Sequence, residues 1–215
     1  MDVAHALGAE GAPAGTLVLA DAQTGGRGRA GRPWLSRPGA GVWLTLLERP
    51  DDASGLEVLS LRLGLRAAEA LEPLARQPVA VKWPNDLQIA RRKLAGVLVE
   101  ARWRDARPEW VAVGVGVNLA PPAEMPDSVG LAAGATRDAV LEALVPALRA
   151  AAAARGALTD AEVAAYAGRD ALAGRRVSAP VPGVVLGILP TGELRVRGAD
   201  GTEHRVRQAT LTLLD

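Results

Sequence analysis

Cysteine and phenylalanine are absent from this 215-residue chain, and histidine occurs only twice. Without cysteine there is no disulfide framework and no thiolate metal site. His5 and His204 are far apart and no HExxH is present, so neither a histidine-dependent triad nor a zinc site is expected. His5 reads as a solvated or structural residue of a short helix, and His204 as solvent-facing. No Gly-Lys-Ser/Thr follows a glycine run, which removes the Walker A loop, and Gly-x-Ser-x-Gly is missing too. A net charge of only +1 argues against a whole-molecule electrostatic footprint for DNA or membrane. Neither a signal peptide nor an apolar run of membrane-spanning length is visible, so a soluble, cytoplasmic protein is expected.

Lysine is nearly absent as well. Positive charge rests on 23 arginines and two lysines, Lys82 and Lys93, and asparagine appears only at Asn85 and Asn118. Arginine is wide, flat and permanently charged, whereas lysine is a compact point charge on a flexible stem. In a chain that uses arginine for solvated charge, two lysines beside Pro84-Asn85-Asp86 suggest chemistry. Apolar residues, by contrast, make up 49% of the chain, enough for a substantial core in one domain with or without a small appendage.

Periodicity predicts a helix over 2–9 with Val3, Ala6 and Leu7 on one face, a strand over 16–22, and a loop to about residue 40. A strand follows at 41–47, then a helix over 56–75 with Ser54 as its N-cap and Pro73 ending or kinking it. Strands are predicted at 79–83, 87–90, 94–101 and 109–119, with a hairpin turn at Arg91-Arg92-Lys93. Gly114 and Gly116 alternate inside the last of these, which suggests close approach of a ligand or backbone to one face. A loop spans 121–134, and helices are expected at 137–155 and 159–168. Beyond Gly168 come short strands at 175–178, 183–189, 194–196 and 204–206, separated by Thr-Gly and Asp-Gly turn signals. The expectation is an α+β domain over 1–168 followed by a small β-barrel over 169–215.

The most informative segment is Gln23-Thr24-Gly25-Gly26-Arg27-Gly28-Arg29-Ala30-Gly31-Arg32-Pro33-Trp34. Glycine supplies conformational freedom, and arginine supplies a planar fork suited to phosphate or carboxylate. Such a loop can close over an anion, although basic glycine-rich tracts also occur in nucleic-acid-binding segments. Together with Lys93, with Asn85 and Asp86 in a tight turn, and with Asn118 ending the glycine-bearing strand, it suits adenylation of a carboxylate by ATP. That reaction needs two anions held together, the α-phosphate neutralised, and a hydrolysable mixed anhydride kept from water.

QTGGRGRAGRPW, VKWPNDLQIARRKLAGVLVEAR and VAVGVGVNL, in this order and spacing, resemble the biotin protein ligase (biotin–acetyl-CoA-carboxylase ligase) family across essentially the whole chain. The resemblance implies a class II aminoacyl-tRNA-synthetase-like catalytic domain of the biotin–lipoate ligase type and a C-terminal SH3-like module. It implies ATP, biotin and Mg2+ as cofactors, with metal ligands not assignable, and ligation of biotin to a lysine of a biotin carboxyl carrier domain through biotinyl-5′-AMP. By the same resemblance Gln23 would line the biotin site, and Arg27 and Arg29 would belong to a loop ordering over the adenylate, its fold allowed by Gly26, Gly28 and Gly31. Lys93 would be the catalytic lysine, with Arg29 beside it. Gly96 would let the backbone approach biotin, while Asn85 and Asp86 would position nucleotide or metal. Gly114 and Gly116 would form the strand floor, Asn118 would sit near the nucleotide, and Trp34 would cap the adenine. Trp43 and Trp83 read as core, and Arg91 and Arg92 as a solvated turn.

The resemblance also implies two departures. Many members carry an N-terminal DNA-binding segment, for which this chain has no room, so a monofunctional enzyme without specific DNA binding is expected, as monomer or homodimer. Members also carry a Ser-Thr pair, usually followed by Asn, just before the helix that here begins at Asp2. This chain starts where the third residue of that motif would lie, so either the start is placed too late or part of the biotin pocket is lost. Alternatives are a lipoate or octanoate ligase or transferase of the same fold, a weakened biotinyl-AMP-binding paralogue, and a nucleic-acid-binding protein using the Arg-Gly loop.

Overall fold

In the computed structural model, which describes residues 1–121, 124–207 and 209–214, the apolar runs of the first 118 residues pair into one antiparallel sheet. Helix α1 (Asp2–Ala9) is followed by strand β1 (Thr16–Ala20), a loop with a 3-10 turn at Arg29–Gly31, and strand β2 (Gly41–Glu48). Next come helix α2 (Leu59–Ala75) and strands β3 (Ala80–Lys82), β4 (Asp86–Ile89), β5 (Arg92–Arg104) and β6 (Arg107–Asn118). Helices α3 (Arg137–Ala153) and α4 (Asp160–Ala167) follow, then β7 (Arg176–Ala179), β8 (Gly183–Ile188), β9 (Leu194–Arg197), β10 (Glu203–Val206) and β11 (Thr212–Leu213).

The first sheet has the order β1-β2-β6-β5-β4-β3. Alternation along its strands gives two unlike faces. Val42, Leu44, Leu46, Val113, Val115, Val117, Ala95 and Val97 turn toward the helices and are buried in the core. Helix α3 meets that core with Val140, Leu144, Leu148 and Ala151, a stripe at helical spacing, and α2 packs beside it. The opposite face carries small residues at its centre. In register, Gly96 lies opposite Gly116, and Gly114 is flanked by Thr45 and Leu98.

Several elements differ from the sequence reading. Helix α1 buries Ala4 and Gly8, not Val3, Ala6 and Leu7, because it lies so close to Trp110 that a Cβ on Gly8 would stand 2.8 Å from the indole. Ser54 does not cap α2. Gly55 turns the chain at φ +87°, and the helix begins only at Leu59, after Val58. Nor does Pro73 end α2. It sits exposed in the last turn, and the helix continues to Ala75. The 121–134 loop includes Pro122 and Ala123, which lie outside the described residues.

The second sheet, β10-β9-β8-β7-β11, contains one strand more than the sequence pattern shows. Strand β11 has only two residues, too few to generate a periodic signal. Segments flanking the two sheets are tied to each other by hydrogen bonds. Val81 of β3 exchanges hydrogen bonds with Arg169 and Ala171, Leu158 N–H donates to the Pro190 carbonyl, and the Trp83 indole donates to the Gly192 carbonyl at 3.0 Å. Trp83 is therefore core, as expected, with its polar end spent between the sheets.

Candidate active site

The small-residue face of the first sheet opens into a cleft of about 1060 Å³. Twelve of the fourteen sequence-predicted site residues line it: Gln23, Arg27, Gly28, Arg29, Trp34, Asn85, Asp86, Lys93, Gly96, Gly114, Gly116 and Asn118. Gly26 and Gly31 do not line it; Gly26 is tightly packed and Gly31 turns the exposed tip of the loop at φ +71°. That loop is a tight antiparallel tongue, not an open coil. Arg27 bridges to Pro33, Gly28 N–H donates to the Arg32 carbonyl at 2.7 Å, and Trp34 N–H donates to the Gly26 carbonyl at 2.8 Å. A Cβ on Gly26 would collide with the Trp34 carbonyl and the Gln23 amide, so the tongue closes only with glycine there.

Lys93 reaches the cleft through a break in strand register. Asp86 pairs with Gly96 and Leu87 with Ala95, but Gln88 pairs with Lys93, leaving Leu94 as an extra residue on β5. A regular strand would turn Lys93 to the helix side with Ala95 and Val97. The bulge turns it to the cleft side with Asp86 and Gly96 and leaves Leu94 buried in the core. Its ammonium lies 2.8 Å from Asp86 Oδ1 and 4.9 Å from the centre of the Trp34 ring. The backbone is pinned on both sides. Lys93 N–H donates to the Asp127 carbonyl, and its own carbonyl accepts from Val129 N–H and, at 3.1 Å, from the Asn118 amide. Asn118 is itself buried, so its amide is spent on holding Lys93. The Asn85 amide similarly donates to the Val97 carbonyl at 2.7 Å, fixing the turn that carries Asp86.

The glycine floor is covered by side chains of this chain. The Trp34 indole lies on Gly96 and Gly116, where an added Cβ would stand 3.0 and 2.7 Å from the ring, and the Met1 thioether lies over Gly114. Trp34 also meets Trp43 edge to face at 6.2 Å, so Trp43, although buried, lines the cleft. The close approach signalled by the alternating glycines is thus realised, and a flat ring fits the floor.

The tongue's arginines have unlike surroundings. Arg27 is held by Glu100 and Asp2. Arg32 donates to Thr210 Oγ at 2.7 Å, which brings the segment after β10 to the cleft rim. Among the described residues no side-chain hydrogen bond or ion pair holds the Arg29 guanidinium. Burial lowers its pKa, with the Asp86 carboxylate acting against that. A partly desolvated, unpaired guanidinium at a cleft mouth is a receptor for an anion. Arg92 is solvent-exposed, as expected, and its guanidinium also donates to the carbonyls of Pro126 and Ser128. His5 is structural, bonded to Trp110 and Glu100. No group of three or more His, Asp or Glu residues suited to a metal occurs among the described residues.

Sequence reasoning missed Glu100, Met125, Ser128 and the segment 209–211, all of which line the cleft or hold its wall. Of these only Glu100 carried a readable signal, as a lone charge in an apolar run, while Lys82, marked as a rare lysine but given no role, also lines the cleft.

Comparison with known proteins places the same segment. The model of the biotin/lipoate A/B protein ligase family matches residues 3–118, which contain every one of the fourteen candidates. The bifunctional ligase/repressor BirA of Bacillus subtilis is 39% identical over 128 residues, 59% of this chain and 39% of that protein. The biotin–[acetyl-CoA-carboxylase] ligase of Mycobacterium tuberculosis is 38% identical over 126 residues, 54% of this chain and 45% of that protein. The chain therefore spans less than half the length of these curated relatives. Among solved structures, the biotin protein ligase from Aquifex aeolicus in complex with biotin and ATP superposes with a TM-score of 0.81 at 26% identity, covering 97% of this chain and 93% of that one. With the family model spanning more than half the sequence and the entire candidate site, the chain belongs to the biotin/lipoate A/B protein ligase family.

Proposed function

We propose that this protein activates biotin with ATP and ligates it to a lysine of a biotin carboxyl carrier domain. One observation carries the reading. The bulge in β5 brings Lys93 onto the glycine floor beside Asp86, facing a tongue whose Arg29 has no partner of its own. A carboxylate entering over Gly96 and Gly116 as the Trp34 indole swings off them would meet the Lys93 ammonium at the point where the ATP α-phosphate must also come. The biotin carboxylate oxygen attacks the α-phosphorus, pyrophosphate leaves, and biotinyl-5′-AMP forms. The lysine amine of the carrier then attacks the acyl carbon, AMP leaves, and the amine proton passes to solvent. Lys93 offsets the charge that accumulates on the phosphate, and Arg29 closes from above. Gly114, Gly116 and Gly96 form the floor, Trp34 and Gln23 the walls, and Asn85 and Asn118 hold the elements that carry Asp86 and Lys93. Arg27, Gly26, Gly28 and Gly31 belong to the tongue.

Mg2+ would neutralise the nucleotide phosphates. Asp86 is the carboxylate at the floor that could meet it, and one carboxylate plus phosphate oxygens is an ordinary Mg2+ environment. We further read the chain as a catalytic unit over 1–168 followed by an SH3-like barrel over 169–215. The change to short antiparallel strands after α4 supports this division.

The test is mass spectrometry of an apo carrier domain incubated with this protein, biotin and ATP. Addition of one biotinyl group to a single lysine supports the reading. Labelling only with octanoate or lipoate would reassign the substrate. Failure to form any acyl-adenylate would remove the chain from ligase chemistry.

A further inference from the structure

Each nitrogen of the Arg27 guanidinium meets a carboxylate oxygen, although the residue lines the cleft. Its Nε and one Nη meet the two Glu100 oxygens at 3.2 and 3.1 Å, and the other Nη meets Asp2 at 2.7 Å. A planar fork matched to a carboxylate in this way holds the side chain to the wall of the cleft. Glu100 in turn has a built environment. It lies on β5 opposite Ala112, on the same face as Gly96 and Gly116. Burial pushes its pKa up, but the hydrogen bonds from Arg27 and His5 outweigh that and hold it below the usual range.

His5 is fixed by its other neighbour. The Trp110 indole N–H lies 3.0 Å from His5 Nδ1, and an indole can only donate. Nδ1 must therefore be the lone-pair nitrogen, and Nε2 carries the hydrogen in the neutral ring. That N–H points at Glu100 Oε2, 2.8 Å away. Trp110 is buried under α1, where Gly8 leaves room for it. One chain of bonds thus runs from β6 through α1 and β5 to the stem of the tongue. Arg32, on the far side of the tip, is tied to Thr210. Between these ties lies Arg29, with Ala30 at φ 55° and Gly31 at φ 71° forming the turn.

We propose that Glu100 is a positioning residue. Seated by His5 and Trp110, it anchors the tongue's stem through Arg27, so that closure over the acyl-adenylate is confined to the tip that carries Arg29. This rests on the adenylate-forming reading of the cleft, but the anchoring itself does not need it. Retention of the intermediate then depends on a residue that touches neither substrate.

The test compares the full chain with Glu100→Gln, which keeps volume and one acceptor, and with Arg27→Lys, which keeps charge and loses the fork. Amide hydrogen exchange over residues 24–33 is read without ligand. The fraction of biotinyl-AMP released to solvent is read during turnover. Glu100→Gln is expected to speed exchange in the tongue by about tenfold with the thermal midpoint little changed, and to raise the released fraction several-fold. The double variant should fall well short of the product of the single effects, because the two substitutions share the Arg27–Glu100 pair, although Arg27 also meets Asp2 and Glu100 also meets His5. If Glu100→Gln fails to fold, His5→Leu, which removes the carboxylate's second partner, is expected to act in the same direction more weakly. Tongue exchange and released fraction within twofold of the parent, or multiplicative effects in the double variant, would overturn the proposal. A parent that forms no adenylate while its tongue exchange responds as stated would sink the ligase reading and leave the anchor standing. An active parent whose exchange does not respond would do the reverse.

Discussion

Replacing Glu162 by Gln tests the scaffold behind the cleft with a number. Arg62 of α2 is 1% exposed and its Nε donates to Glu162 Oε1 of α4 at 2.7 Å, with the Glu162 side chain 8% exposed. The same carboxylate closes a capping box, accepting from the Thr159 backbone N–H at 2.8 Å. The Arg62 hydrogen bond, against the opposing cost of burial, lowers the Glu162 pKa from 4.5 to about 2. At about 1.36 kcal/mol per unit this depression corresponds to roughly 3 kcal/mol, in line with the cost of leaving a buried partner charge uncompensated. The sign follows from the direction. A carboxylate depressed in the folded state contributes its full stabilisation above the unfolded pKa and loses it as pH falls through the folded one. The contribution is thus complete at neutral pH, reduced by about half near pH 3, and gone below about pH 2. Glutamine keeps the cap's acceptor and removes only the charge. Urea unfolding of parent and Glu162→Gln should show a gap of about 3 kcal/mol at pH 7 that narrows by pH 3. A gap under about 1 kcal/mol at pH 7, or one that does not change between pH 7 and pH 3, would refute the account of the pair.

Three further outcomes are expected at the cleft. Lys93→Ala should lower biotinyl-AMP formation by about 10²–10³-fold with folding intact, since it removes one preorganised cation, and activity within twofold of the parent in a pyrophosphate-release assay would take Lys93 out of the chemistry. Arg29→Gly should increase indiscriminate biotinylation of bystander protein at matched intermediate production, whereas equal or lower labelling would count against a closing role for the tip. Gly116→Ala places a methyl group on the floor where the biotin carboxylate is proposed to lie, so it should weaken biotin binding about tenfold in calorimetry, and unchanged affinity would show the floor to be tolerant.

The amino-acid sequence by itself determined which residue types meet and in what order. The scarcity of lysine marked Lys93, the Gly-Arg alternation marked the tongue, and glycines at 114 and 116 marked a floor, because each residue type carries its chemistry wherever it is placed. The central strands of the first sheet were legible as apolar and β-branched runs, since β2 and β6 are buried along nearly their whole length. What alternation cannot show is a change of parity. Read as a regular strand, β5 sends Lys93 into the core, and only the extra residue at Leu94, fixed by pairing with β4, turns the ammonium to the cleft. The division of labour among the arginines was hidden too. Arg27, Arg29 and Arg32 are equivalent in the sequence, and they differ because Glu100 is 73 residues from the first and Thr210 is 178 from the last. His5 looked like an isolated helix residue until α1 docked on Trp110. Such pairings depend on the distances set by packing, which is why tertiary structure alone decided which arginine stays free to meet an anion.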